Sequence, residues 1–317
     1  MMAECYIAVD LGGTNIRAVR GTAAGHILAR ASHRTQAIDG EAAVMQRIIQ
    51  AVREVWPEDG SARAIGISAP GPLDPWKGVI IYAPNLPGWR DVPLRDEIMQ
   101  AFHVPTRLGN DANLAALAEY RFGAGRGYKD MIYLTLSTGI GGGVICGGRL
   151  LLGAKGFAAE LGHMSVDLNG PRCNCGNIGC IEAIAAGPAI AKAAVTRIQA
   201  GEHSAIPDLV SGNLADVSAE TVGQAAQMGD ALALSVVLNA GRAIGAAIVN
   251  LLHAFNPGIV ICGGGLTRMG DLLMQPIRQT MIERASDRDY WVDIVLASLG
   301  DDVALLGALA LAAEPEQ

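Results

Sequence analysis

Basic residues are scarce and scattered: 24 Lys and Arg stand against 31 Asp and Glu, for a formal net charge of −7. No run of Lys or Arg supplies the local basic face that binding a phosphate backbone would need, so a nucleic-acid role is not expected. Aromatic residues make up only 4% of the chain. An uninterrupted apolar span is also lacking. The most apolar late stretch, 241-GRAIGAAIVNLLHAF-255, is broken by Arg242, Asn250 and His253 and reads as a buried helix rather than a membrane segment. The N-terminus, MMAECYIAVD, has no basic region leading into an apolar core and a small-residue cleavage site, so it does not read as a signal peptide. A soluble, cytoplasmic protein is expected. Cysteine is sparse as well: six residues, which in that compartment are not to be counted as three disulfides. Cys5, Cys146 and Cys262 each stand alone in apolar, strand-like surroundings and are expected to be small buried core residues. The other three crowd into 173-CNCGNIGC-180.

What is present points to a packed α/β protein. Half of the residues are hydrophobic, with Ala and Gly abundant, and 317 residues are long for one core, which favours two domains. Residues 5–10 read as a strand, 12–13 as a turn, and 14–22 and 26–35 as two further strands. Val44, Ile48, Ala51, Val52 and Val55 recur on one face of a helix over 40–56. A buried strand follows at 63–68 and runs into the turn-rich 69-APGPLDP-75. The second half opens the same way, with a strand at 131–137, a glycine turn at 138–143 and two short strands around Gly147 and Gly148. A helical region with interruptions covers about 219–255. A buried strand at 258–266 then ends in Gly263, Gly264 and Gly265. Strand, glycine turn, strand at the head of each half suggests an internal duplication of pattern. Residues 196–217 are mixed, turn-rich and the least interpretable.

A glycine turn with exposed backbone N–H groups is an anion cradle, because no side chain blocks close approach. The first, 10-DLGGTN-15, adds Asp10, able to hold Mg2+ through water, and Thr14 and Asn15, able to reach phosphate oxygens alongside Gly12 and Gly13. A dinucleotide fingerprint is excluded by context, since it needs a helix directly after the glycines and a strand follows here. A plain hairpin is the bland alternative for one such turn. Two turns in repeated halves, the second carrying Thr138 and Gly139, suit a clamp on ATP.

The elements DLGGTN, NDAN, TGIGGG, ELGH and CNCGNIGCIE, in this order and spacing, resemble the ROK family of sugar kinases and sugar-responsive repressors, from about residue 5 to residue 310. The resemblance implies a two-domain actin-like (ribonuclease H-like) ATPase fold, with ATP and sugar bound in the cleft between domains. The expected division is 1–115 with a C-terminal helix at 301–317, and 116–300 carrying the cysteine loop. Cys173, Cys175 and Cys180 need a fourth ligand, and His163, ten residues earlier in 160-ELGH-163, is the candidate; three thiolates and an imidazole make a closed structural zinc site. The four positions match the family's zinc ligands. The rival, a redox pair, has the wrong spacing, C-x-C-x4-C rather than C-x-x-C. Glu160 and Glu182 flank this loop, and in the family these positions and the zinc-bound histidine contact sugar hydroxyls.

Asn110 and Asp111, in 107-RLGNDANLAALAEYRFG-123, stand at a helix start, where a capping role alone would be ordinary. The family's catalytic Asp falls on Asp111, which implies a general base for the attacking hydroxyl, with Asn110 on an adjacent hydroxyl. Asn85, in 82-YAPNLPGW-89, resembles the asparagine that glucokinase-like members use on the sugar. Gly71 is a loop glycine that either approaches the sugar or simply makes a turn. Gly263, Gly264 and Gly265 match where the family places the adenosine. One departure is Ser137, where many members have glycine. The resemblance thus implies an ATP-dependent hexokinase-type enzyme requiring Mg2+, with glucose the expected sugar and a homodimer or homotetramer the expected assembly. N-acetylhexosamine or fructose kinases of the same family remain open, as does a sugar-sensing regulator. The repressors carry an N-terminal helix-turn-helix of several dozen residues, and the first phosphate turn here begins at residue 10.

Overall fold

The structure is a computed structural model that describes residues 4–58, 60 and 62–315. They fall into two compact units. The first holds the described residues through Tyr128, together with Gly143–Ala159 and those from Ala297 onward. The second holds Lys129–Gly142 and Glu160–Leu296. The expected boundary at 115/116 falls inside a helix of the first unit.

In the first unit β1 (Cys5–Leu11), β2 (Asn15–Thr22) and β3 (Ile27–Arg34) form an antiparallel meander. Alternation along β1 sends Ile7, Val9 and Leu11 to one face and Ala8 to the other. Helix α1 (Glu41–Val55) covers the first face with the expected stripe of Val44, Ile48, Ala51, Val52 and Val55, all buried. The chain then crosses to β4 (Ala62–Ala69), parallel to β1. Three short strands, β5 (Leu73–Asp74), β6 (Val79–Tyr82) and β7 (Arg90–Val92), make a small antiparallel sheet that the sequence reading did not identify. Its hydrogen bonds are local, but its apolar residues are too few per strand to show a period. Helix α2 (Leu94–Phe102) leads to β8 (Thr106–Asn110), parallel to β4, and then directly into α3 (Asp111–Phe122).

The second half repeats the plan. Strands β9 (Met131–Leu136), β10 (Ile140–Cys146) and β11 (Arg149–Leu150) come first. The glycine turn expected over 138–143 is shorter: it occupies only 137–139, and β10 starts at Ile140. Gly142 is a strand residue, where a Cβ would stand 2.5 Å from Leu161 Cδ1 and 2.7 Å from the Tyr133 carbonyl. Glycine here serves close packing within a strand rather than a turn. Cys146, expected in the core, is exposed at the outer end of β10, just before the Gly147–Gly148 turn. Cys5 and Cys262 are buried, and burial pushes the Cys262 thiol up to about 12.

Helices α4 (Ile181–Ala185), α5 (Gly187–Gln199), α6 (Ile206–Leu209), α7 (Ala219–Gln227) and α8 (Ala231–Phe255) follow. Ser218 caps α7 and Asp230 caps α8, which places the interruption of the long helical region at 228–230. Helix α8 is long and apolar enough to span a membrane by length and composition, yet most of that window is buried inside the protein, with Arg242 and Asn250 on its exposed side. Strand β12 (Ile259–Gly263), helix α9 (Asp271–Arg284) and strand β13 (Asp293–Leu296) complete the sheet, β12 lying parallel to both β9 and β13. The sheet orders are β3-β2-β1-β4-β8 and β11-β10-β9-β12-β13, one pattern used twice. This is the duplication that the opening motifs of each half suggested.

The last helix, α10 (Val303–Ala312), belongs to the first unit and buries Leu305, Leu306 and Leu309 against Ala8, Val19, Leu114, Leu117 and Ala118. Its entry is fixed by Glu119 of α3, fully buried. Oε1 accepts the N–H groups of Ser298 and Leu299 at 2.8 and 3.0 Å, and Oε2 accepts Ala124 N–H at 2.8 Å and the Ser298 hydroxyl at 3.1 Å. Glu119→Ala would remove the acceptor of these four part-buried hydrogen bonds, worth about 0.5–1.5 kcal/mol each, and leave a hole where the buried side chain was. A loss of about 3 kcal/mol in urea-unfolding free energy is expected, and a smaller loss for Glu119→Gln, whose amide oxygen replaces only one of the two accepting oxygens.

Candidate active site

Parallel strands β1, β4 and β8 end in register: Asp10 pairs with Ser68, and Ser68 with Gly109. The first glycine turn, the loop carrying Gly71, and the Asn110–Asp111 pair therefore leave one edge of one sheet, a position where α/β folds bind ligands. The turn is tied by Gly12 N–H to the Asn15 carbonyl at 2.9 Å, and braced by buried Thr35, whose hydroxyl donates to the Gly12 carbonyl at 2.6 Å and whose N–H donates to the Thr14 carbonyl at 2.9 Å. Gly13, Thr14 and Asn15 are exposed. A Cβ on Gly13 would stand 3.0 Å from Asn85 Cβ, so Asn85 is brought against this turn. Asn85 is exposed on a loop anchored by buried Ala83, Leu86 and Trp89.

Asp10 has a partner that the sequence reading missed. Arg17 donates from Nε at 3.0 Å and from Nη2 at 2.7 Å to Asp10 Oδ2. Both sit on β1–β2 in direct register, and cross-strand pairing of Asp10 with Arg17 was the available signal.

Asn110 is the N-cap of α3: its Oδ1 accepts Ala112 N–H at 3.0 Å and Asn113 N–H at 3.2 Å. The capping role and a ligand role are compatible, because the amide Nδ2 points the other way, 3.1 Å from where a Gly71 Cβ would be. Asp111 is exposed at the first helical position and its Oδ1 accepts Ala112 N–H at 2.8 Å.

In the second unit, β9 and β12 are parallel and end together, Gly263 opposite Thr135. The 137–139 turn thus lies beside the late glycines. Gly264 has φ +91°, and a Cβ there would collide with the Leu136 carbonyl, so only glycine passes so close to the end of β9. A cavity of about 700 Å³ opens here, lined by Ser137 and Thr138, the start of α5, one face of α7, and Gly265, Leu266, Arg268 and Met269. That volume accommodates a nucleoside. Gly263 itself is buried and does not line the cavity. The contribution of α7, with Ser218, Gln224 and Gln227, was missed; its one visible signal was the Ser218 helix cap at the end of the opaque 196–217 stretch.

The cysteine loop folds back on itself. Gly179 N–H donates to the Pro171 carbonyl, Val166 N–H to the Gly179 carbonyl, and Ile181 N–H to the Met164 carbonyl. Gly179 has φ +70°, and a Cβ there would overlap the Asp167 carbonyl. His163, Cys173, Cys175 and Cys180 then bring one donor atom each within 4.8 Å of all the others. Cys175 Sγ lies 3.7 Å from Cys180 Sγ, and Cys173 Sγ 3.8 Å from His163 Nδ1. Thiolates about 2.3 Å from one zinc stand about 3.8 Å apart in a tetrahedron, so the four donors fit that ion. Their electrostatics agree. The backbone hydrogen bond from Asn177 lowers the Cys175 thiol, while burial, then Cys175 and Cys173, push Cys180 up to about 12. A dication would cancel that mutual repulsion.

Glu160 is exposed immediately before the short turn that carries His163, and its carboxylate has no hydrogen-bond partner among the described residues. Glu182, two residues after Cys180, is half-buried, and its Oε2 accepts Ile140 N–H at 3.0 Å.

Comparison with known proteins gives a consistent set. The ROK family model matches residues 6–315. A glucokinase of Thermotoga maritima is 38% identical over 310 residues, 97% of each chain. Among solved structures, a ROK family glucokinase from Streptomyces griseus in complex with glucose and AMPPNP is similar with a TM-score of 0.80 and 35% identity, covering 97% of this chain and 99% of that one. A ROK family transcriptional regulator, a homologue of the E. coli MLC protein, has a TM-score of 0.84 at 27% identity, covering 97% of this chain and 77% of its own.

Proposed function

The chain belongs to the ROK family and has its two-domain, actin-like ATPase fold, and from that premise we propose that it is an ATP-dependent hexose kinase acting on the 6-hydroxyl of glucose. The observation that carries the reading is Asp111, an exposed carboxylate at the start of α3 beside the capping Asn110. The full-length likeness to glucokinases supports glucose as the sugar.

The roles are assigned as follows. Asp111 accepts the proton of the 6-hydroxyl as its oxygen bonds to the γ-phosphorus and the bond to ADP breaks. Phosphoryl transfer asks little else of covalent chemistry, so placement of the two substrates supplies most of the acceleration. The backbone N–H groups of Gly13, Thr138 and Gly139, with the Thr14 and Asn15 side chains, hold phosphate oxygens, while Gly12 closes the first turn through its own N–H. The 700 Å³ cavity beside Gly263 and Gly264 takes the nucleoside. Arg17 occupies Oδ2 of Asp10, and the Asp10 carboxylate would hold, through water, the Mg2+ that accompanies ATP. Gly71, Asn85, Asn110, Glu160, His163 and Glu182 bind sugar hydroxyls.

His163, Cys173, Cys175 and Cys180 would hold a structural zinc, which supplies order to the loop and no step of the reaction. Ligation through Nδ1 leaves the imidazole proton on Nε2, a donor for a hydroxyl oxygen. The cytoplasm provides both ATP and the reducing conditions in which such thiolates persist.

The test is ADP release by the zinc-replete protein with Mg-ATP and each of glucose, N-acetylglucosamine, N-acetylmannosamine and fructose. Turnover highest with glucose is expected. Turnover confined to another sugar would reassign the substrate, and sugar binding without turnover would make the protein a sensor, as its likeness to a regulator allows.

A further inference from the structure

Glu182 is assigned above to the sugar, yet one of its two oxygens is already committed elsewhere. Oε2 accepts Ile140 N–H at 3.0 Å, and a Cβ on Gly139 would stand only 2.8 Å from the same oxygen. The carboxylate therefore sits against the second glycine turn, at its last residue and at the first residue of β10. A second tether lies five residues on, where Gly187 N–H donates to the Ser137 carbonyl at 2.8 Å at the other end of the turn. The turn closes on itself through Ser137 N–H to the Gly139 carbonyl at 3.0 Å. A third contact comes from Gly162, whose missing Cβ lets the 161–163 turn press on the Ile140 carbonyl. The segment bearing the sugar-binding carboxylates and the cysteine cluster is thus the cradle of the phosphate turn.

We propose that Glu182 is a positioning residue for the nucleotide: its Oε2 holds Ile140 N–H and so fixes the 137–140 turn, while only Oε1 is free for a sugar hydroxyl. This rests on the reading of that turn as a phosphate cradle. A turn whose N–H groups must face phosphate cannot be left to select its own conformation, and a charged acceptor on its last N–H removes the competing arrangements. One carboxylate then serves both substrates, and the order it imposes on the turn precedes sugar binding.

The experiment is calorimetric titration of ADP into the zinc-replete protein with no sugar present, for wild type, Glu182→Ala, Glu182→Gln and Glu182→Asp. Zinc content and unfolding temperature are measured on the same samples. Glu182→Ala is expected to weaken ADP about tenfold, the scale of one hydrogen bond to a charged group. Glu182→Asp, one methylene short of Ile140, should weaken it similarly with the fold and the charge kept. Glu182→Gln, whose amide oxygen can still accept Ile140 N–H, should stay within about threefold of wild type. A residue that serves only the sugar would leave all sugar-free ADP affinities equal, and that result overturns the proposal. Should Glu182→Ala fail to fold, the contrast between the Asp and Gln variants decides alone. A wild type that binds no ADP would overturn the reading of the turn, and the proposal with it.

Discussion

Asp111→Asn is expected to lower kcat by about 10²–10⁴-fold, the range a positioned general base contributes, while the dissociation constant for glucose changes by less than about fivefold. The reasoning is local. Asp111 Oδ1 accepts Ala112 N–H, and an asparagine carbonyl can do the same. The cap itself is made by the neighbouring Asn110, through Ala112 and Asn113, and is not touched by the substitution. Helix α3 should therefore start at the same residue, and the buried residues Leu114, Leu117 and Ala118 should keep their places against α10. What is lost is an acceptor for the hydroxyl proton. Single-turnover rates and calorimetric glucose affinity on one preparation separate the two effects. A variant with near wild-type kcat would remove Asp111 from the role of base, and a variant that loses glucose as well would make it chiefly a binding residue.

Why the NDAN element could be read as a strand end and a helix start follows from how locally it is built. NDAN codes its own strand end, cap and first helical turn within four residues, and β8 does run directly into α3 there. The same holds for the first glycine turn and the cysteine loop, where the bonds that shape each feature lie mostly within twenty residues of it. The internal repetition was legible for a similar reason, since each half opens on its own hairpin. Features assembled from distant segments were not legible. Arg17 on Asp10 depends on a register that only the folded sheet fixes. The 700 Å³ cavity draws on residues near 137, 187, 218 and 268, and its α7 wall lies just past the stretch with no readable pattern. Glu182 on Ile140 spans forty-two positions, and nothing near either residue announces it. The start of β10 at Ile140 was hidden because glycine serves two purposes, open conformation in the turn and missing bulk in the strand. Only the neighbours of Gly142 tell them apart.

Removal of zinc is expected to have the second large effect. Binding at a site of three thiolates and one imidazole is worth about 10–16 kcal/mol in small zinc domains. Here a larger core exists already, so the loss should fall on the loop rather than on the whole fold. Without a dication, Cys173, Cys175 and Cys180 cannot all carry negative charge so close together; burial and its two neighbours already hold Cys180 protonated, up to about 12. The loop must then relax away from the arrangement that points His163 and, two residues past Cys180, Glu182. Dialysis against a chelator under reducing conditions should weaken glucose at least about tenfold and lower the unfolding temperature by several degrees, both restored by added Zn2+. Because Glu182 also holds the 137–140 turn, sugar-free ADP affinity should fall with it, by less than the loss for glucose. Cys175→Ser, the exposed member of the cluster, should reproduce these changes without chelator. Metal analysis alongside calorimetry decides the matter. A protein shown to be free of zinc that keeps its full affinity for glucose would separate the cysteine cluster from the sugar site, and leave Glu160 and Glu182 to be positioned by the backbone bonds of their own segment alone.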